Sequence, residues 1–215
     1  MKRPIDLIMF DLDGTLANTG RDLANSVNYV RSRLDLEPLE DRLIYDHVGH
    51  GVEHLIRSSL PEKSEDGFRA VMEMFLEHYE RHLLDTTALY PRVTETLDYF
   101  KRKRRVVVSN KLARLTMSIL RGLAIRDCFD VILGGDSIAK KKPDPEPLNQ
   151  VLSQFDISPR RALMVGDSAA DIEAGKQAGV YTCGVTYGLC KKGEIVAAKP
   201  DFLIDDLYQL TEHFC

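Results

Sequence analysis

The sequence predicts a doubly wound α/β fold with a helical insert after its first strand. Three observations carry this expectation. Short, nearly continuous apolar runs recur along the chain, which suits strands buried on both faces, as in a parallel sheet. Helical patterns lie between those runs, the signature of successive βαβ units. One stretch, 17–84, breaks the alternation and carries helical spacing without strong strands.

The first strand is expected at 5–10, an apolar run that stops at Asp-Leu-Asp-Gly-Thr. Further strands are expected at 106–109, 131–133, 162–165, 180–185 and 202–204. After Pro91, Leu97 and Phe100 share a helical face. Leu112, Leu115, Ile119 and Leu123 mark the next helix. Leu148, Val151, Leu152 and Phe155 mark another, entered through Pro145 and Pro147 near its first turn. A helix beginning after Asp167 ends near Gly179, a C-terminal cap. Inside the insert, Leu23, Val27, Val30 and Leu34 recur at helical spacing. So do Phe68, Val71, Met72, Phe75, Leu76, Tyr79 and Leu83. The expected division is a core at 1–16 and 85–215 and a helical domain at 17–84, placed as a lid above the C-terminal edge of the sheet.

At 215 residues the chain is long enough for one well-buried core and a modest insert. A formal charge of -4 gives no bulk attraction to nucleic acid or acidic membranes, and neither is expected as a partner. Cys128, Cys183, Cys190 and Cys215 are widely spaced and form no CxxC pair, so reduced thiols are expected. No run is long enough to span a bilayer, and the N-terminal segment lacks the shape of a signal peptide. A cytoplasmic enzyme, monomeric or homodimeric, is the matching expectation.

In a doubly wound sheet, ligands bind beyond the carboxyl ends of the strands. The residues just past each predicted strand are Asp11 and Asp13; Ser109, Asn110 and Lys111; Gly134, Gly135, Asp136 and then 140–143; and Gly166, Asp167, Ser168 and Asp171. Carboxylates, a hydroxyl, an amide and a lysine thus converge on one edge. Crowded carboxylates repel one another unless a cation sits among them. A hard cation such as Mg²⁺ is implied. Gly14 would let backbone N–H groups approach a phosphate closely. Ser109 and Asn110 supply hydrogen bonds and Lys142 a point charge. That inventory suffices for phosphoryl transfer, which depends on positioning and charge stabilisation.

Asp11-Leu12-Asp13-Gly14-Thr15-Leu16 resembles the first motif of the haloacid dehalogenase superfamily, phosphatase branch. Ser109-Asn110-Lys111, Lys142-Pro143-Asp144-Pro145 and Gly166-Asp167-Ser168-Ala169-Ala170-Asp171 resemble the second, third and fourth, in order and with suitable spacing. The resemblance implies a Rossmann-like core with a helical cap. It also implies that Asp11 is the nucleophile and Asp13 the general acid and base. Ser109 and Asn110 would hold the phosphoryl group, and Lys142 would offset charge. Mg²⁺ would be bound by Asp11, the backbone carbonyl of Asp13 and Asp167, with Asp171 in direct or water-mediated support. Val48-Gly49-His50-Gly51-Val52-Glu53 resembles the specificity loop of phosphoglycolate phosphatases, which makes His50 a candidate substrate ligand and 2-phosphoglycolate the leading substrate. Asn18 departs from the aspartate that many relatives carry there.

Bland readings compete at each position: helix caps for Asp167 and Asp171, turn residues for Ser109 and Asn110, plain surface histidines for the His50/His54 and His78/His82 pairs. Lys111 faces either substrate or solvent. Pyrophosphate, sugar phosphates and nucleotides are rival substrates, and a β-phosphoglucomutase-like phosphotransferase shares the same motifs. A receiver-like switching module is the non-enzymatic alternative. The long insert and the placement of Asp13 two residues beyond Asp11 count against it.

Overall fold

The computed structural model describes residues 2–61 and 64–215. Six parallel strands form the central sheet. They are β1 (Leu7–Phe10), β4 (Arg104–Val108), β5 (Val131–Leu133), β6 (Ala162–Gly166), β7 (Tyr181–Val185) and β8 (Phe202–Ile204), in the spatial order β5-β4-β1-β6-β7-β8. The sequence order reverses at β1, so the chain end of that strand lies at the switch point where open α/β sheets bind ligands.

Alternation along the strands explains why both faces are covered. Ile8, Phe10, Val107, Leu163 and Val165 belong to one apolar core. Leu7, Met9, Val106, Val108 and Met164 belong to the other. The second core is closed by α7 (Glu146–Phe155) and α8 (Ala169–Ala178) through Leu148, Val151, Leu152 and Ala174. Helices α5 (Val93–Tyr99) and α6 (Ala113–Gly122) contribute Leu97, Leu115 and Ile119 to the first. Helix α8 starts with Ser168 in a reciprocal capping box with Asp171 and ends at Gly179 in the left-handed region.

Between β1 and α5 the chain forms α1 (Gly20–Arg33), α2 (Asp41–Tyr45), α3 (Val52–Ser59) and α4 (Glu65–His82). The predicted apolar stripes are the buried ones: Leu23, Val27 and Val30 of α1 pack with Val71, Phe75 and Tyr79 of α4. No sequence pattern announces the ribbon at the foot of this insert, where β2 (Ala17–Asn18) pairs antiparallel with β3 (Ala88–Leu89). Two residues per strand are too few to show a period. Beside the ribbon, the buried Asp22 carboxylate accepts hydrogen bonds from the N–H and hydroxyl of both Thr86 and Thr87. A short α9 (Lys192–Ala197) and a C-terminal α10 (Leu210–His213) complete the α-helices among the described residues. No helix among the described residues is long and apolar enough to cross a membrane.

Candidate active site

The turn after β1 is built by the backbone. The N–H groups of Thr15, Leu16 and Ala17 all donate to the Leu12 carbonyl, and that of Gly14 donates to Ala17. Gly14 takes φ +83, and a Cβ there would stand 2.1 Å from Asp167 Oδ2. Glycine is therefore required both by the backbone and by the carboxylate beside it.

Asp11 and Asp13 leave this turn in different directions and meet different lysines. The Lys142 ammonium lies 3.0 Å from Asp11 and 2.6 Å from Asp171, and it also donates to the Val108 carbonyl. The Lys111 ammonium lies 3.0 Å from both oxygens of Asp13. Thr19 donates its hydroxyl to the same carboxylate. Both lysines are buried. Burial alone would lower their pKa values, but the facing carboxylates outweigh it; Lys142 is pushed up to about 12 and Lys111 is also raised.

Oxygens of Asp11, Asp167 and Asp171 lie within 4.8 Å of one another, and all three residues are buried. Burial, with Asp171 and Asp13 nearby, pushes Asp11 up to about 7 against the pull of Lys142. Burial and the charges of Asp11 and Asp171 push Asp167 up to about 8. One lysine does not balance three carboxylates. A set of buried oxygen donors short of positive charge is what a hard divalent cation requires, so these residues fit such an ion. Asp167 is aimed by the N–H groups of Leu189 and Cys190. Both oxygens of Asp171 are engaged, one by Lys142 and the other by the N–H and hydroxyl of Ser168.

A family model described as haloacid dehalogenase-like hydrolase matches residues 8–185, which include Asp11, Asp13, Lys111, Lys142, Asp167 and Asp171. The chain belongs to that family. Relatives named phosphoglycolate phosphatase align along nearly its whole length. The protein from Haemophilus influenzae is 38% identical, covering 98% of each chain. That from Nitrosospira multiformis is 35% identical, covering 97% of this chain and 95% of its own. A solved structure of a predicted phosphoglycolate phosphatase from Haemophilus somnus shares 33% identity and a TM-score of 0.93, covering 97% of both chains. The expected α/β fold of this family is the one observed.

The structure brings together Asp11, Asp13, Gly14, Ser109, Lys111, Lys142, Asp167 and Asp171, as the four motifs suggested. Two candidates sit differently from expectation. The Asn110 side chain is spent on backbone: its Nδ2 donates to the carbonyls of Gly49 and Lys142, and its Oδ1 accepts from the Lys142 N–H. It fixes the lysine loop rather than offering its amide to a ligand. His50 is exposed, its ring against His54 at 4.9 Å, and it is His47 that lines the cavity. His50 stands between Gly49 and Gly51, both at positive φ. In α3, Arg57 is paired with Glu53 and Glu65 and stacked on Phe68. Sequence reasoning missed Tyr79, which lines the cavity; its place in an apolar helical stripe made it read as core.

Proposed function

We propose that this chain is a magnesium-dependent phosphomonoester hydrolase that uses Asp11 as nucleophile, with 2-phosphoglycolate as its best-fitting substrate. One observation carries the reading: the two carboxylates after β1 each have a separate buried lysine, Lys142 for Asp11 and Lys111 for Asp13. Carboxylates in unlike surroundings take unlike roles. The names of the full-length relatives support the reaction class and the substrate.

An oxygen of Asp11 attacks phosphorus and the ester P–O bond breaks, leaving an aspartyl-phosphate. Asp13 gives its proton to the departing oxygen. It then takes a proton from the water that attacks the intermediate, and inorganic phosphate leaves with Asp11 restored. Lys142 holds Asp11 in place and offsets the charge that gathers around it. The Ser109 hydroxyl would hold a transferring oxygen. Mg²⁺ would be held by Asp11, the Asp13 carbonyl and Asp167, and would supply positive charge at the phosphoryl group. Asp171, with both oxygens engaged, fits a supporting position behind the ion. Residues 17–84 serve as the cap and residues 1–16 and 85–215 as the catalytic core.

The test is phosphate release from 2-phosphoglycolate, pyrophosphate, a sugar phosphate and a nucleotide, with and without Mg²⁺. Fastest Mg²⁺-dependent release from 2-phosphoglycolate, abolished in Asp11→Asn, is expected. Turnover that survives Asp11→Asn removes the nucleophile from Asp11. Isomerisation of a sugar phosphate without net phosphate release makes the chain a mutase.

A further inference from the structure

We propose that a second cavity, at the edge of the sheet opposite Asp11, binds a small molecule carrying a chain of two or three phosphates. It lies where β1, β4 and β5 begin, and the whole basic run from Lys101 to Arg105 lines it. Asp6, which also lines it, and Asp11 flank the two ends of β1, roughly 16 Å apart along the strand. The cavity is therefore separate from the catalytic edge.

The local fold makes the concavity. Helix α5 ends at Tyr99 and β4 starts at Arg104, so 101–103 turn the chain back under the foot of the sheet. Successive strand residues point to opposite faces. Arg104 accordingly lies over the Phe155 ring of α7, while Arg105 donates to the Leu97 carbonyl of α5 at 2.8 Å. Phe129, just before β5, and Ile157 add apolar wall. The volume is about 620 Å³, within the roughly 300–1,000 Å³ of small-molecule sites.

The charges lining the cavity do not cancel. Each acid there has a cation of its own: Arg161 for Asp6 and Arg104 for Asp130, both at 2.7 Å, and Arg126 for Asp127 at 3.9 Å. Lys101 is paired with Asp98. Arg102, Lys103 and Arg105 have no ion-pair partner among the described residues. Asp6 is held below the ordinary carboxylate value first by its hydrogen bonds to Arg161 and more weakly by the charge of Lys103, which stays beyond ion-pair range. Spread over a convex surface, such residues would be a solvated face. Here three unmatched cations face one cavity, on a chain whose formal charge is -4. A phosphate monoester brings at most about two negative charges. A chain of two or three phosphates matches all three cations, with arginine forks and a lysine point charge for its oxygens. A long nucleic acid would meet net negative charge beyond the cavity.

The experiment is calorimetry on the full chain at pH 8 with chelator, using inorganic triphosphate and ATP as probes. Without a cation the carboxylates around Asp11 repel an anion, so the heat reports the far cavity. We expect saturable binding that Arg102→Gln or Lys103→Gln each weakens about 5- to 10-fold, the effect of one charged contact at a half-exposed site. Lys192→Gln, which removes the same charge from an exposed position elsewhere, should leave it unchanged. Tighter binding of ATP upholds the site with a nucleoside seated on the apolar wall, and equal binding upholds it for the phosphate chain alone. Excess 2-phosphoglycolate should displace neither probe, so the result stands or falls apart from the catalytic reading. No saturable binding, displacement by 2-phosphoglycolate, or an equal loss in Lys192→Gln overturns the site.

Discussion

Asn110 grips Lys142 by its backbone: the amide oxygen accepts the Lys142 N–H at 3.1 Å and the amide nitrogen donates to the Lys142 carbonyl at 2.8 Å. The same nitrogen reaches the Gly49 carbonyl at 2.8 Å. One side chain thus joins the β4 end, the lysine loop and the loop between α2 and α3 of the helical insert. Asn110→Asp would turn the donor into an acceptor facing two carbonyl oxygens. A displacement of Lys142 by about 1 Å would cost on the order of 100-fold in kcat. We expect that loss together with a lower thermal midpoint. An Asn110→Asp protein with kcat intact would mean the lysine is held by its carboxylate partners alone.

Asp11 should cost the protein stability. It is held ionised in a buried place next to Asp171 and Asp13, and its pKa is raised to about 7 for that reason, despite Lys142. At pH 8, with chelator present, Asp11→Asn removes the buried charge while Lys142 keeps Asp171 and the Val108 carbonyl. The expected result is abolished turnover and a thermal midpoint higher by about 2–4 °C, the effect of roughly 1 kcal/mol on a chain of this size. A lower midpoint would show that the Lys142–Asp11 pair outweighs the burial and repulsion.

The pH dependence follows with a definite sign. Asp11 and Asp167 titrate near 7 and 8 in the fold, against 3.8 as the ordinary value. Between those values the folded chain binds more protons than the unfolded one, so stability falls as pH rises. Their contribution is fully present below about pH 3.8 and is lost by about pH 8. A divalent cation competes for the same oxygens, and its stabilising effect grows as the protons leave. Thermal melts from pH 5 to 9 should show a Mg²⁺-induced rise in midpoint that increases with pH. A rise of constant size across that range would locate the ion elsewhere.

The core was legible because each strand is an apolar run ended by polar residues. The observed β1, β4 and β6 match the expected spans to within two residues at each end. Proximity across the fold was not legible in the same way. Lys111 and Asp13 are 98 residues apart, and nothing local shows that the lysine turns inward to the carboxylate rather than outward to water. A glycine-flanked loop without a period does not show which side chain faces the cavity, so the motif points to His50 and leaves His47 unmarked. Asn110 lines the cavity, but its side-chain donors and acceptor are consumed by backbone groups that sequence does not bring into view.

Asp22 ties the two chain crossings at the foot of the insert. It is 1% exposed and takes hydrogen bonds from the N–H and hydroxyl groups of Thr86 and Thr87, at 2.6–3.0 Å. Asp22→Ala leaves the N–H groups of the exposed Thr86 and the buried Thr87 without their acceptor, a loss of about 1.5–3 kcal/mol given the strength of hydrogen bonds to charged groups. Denaturant unfolding should register that loss. If α1 is anchored to the crossing in this way, protease cleavage within 17–84 should also accelerate. Unchanged cleavage with lowered stability would mean that the whole chain weakens as one unit.

Gly14 and Gly193 make a matched pair for the last prediction. At Gly14 a methyl group would stand 2.1 Å from Asp167 Oδ2, on a backbone with φ +83. At Gly193, in α9, nothing lies within 4 Å and no left-handed backbone is involved. Gly14→Ala must therefore move Asp167 or the turn that carries Asp11 and Asp13, and the left-handed backbone adds about 1–2 kcal/mol of strain. Gly193→Ala should stabilise α9 by up to about 1 kcal/mol through the lower conformational freedom of alanine. The readout is the Mg²⁺-induced shift in thermal midpoint, which does not depend on turnover. Gly14→Ala should lose most of that shift, and Gly193→Ala should keep it. If Gly14→Ala kept the full shift, Asp167 would not be part of the cation site, because the substitution cannot be made without displacing its carboxylate or the turn beside it.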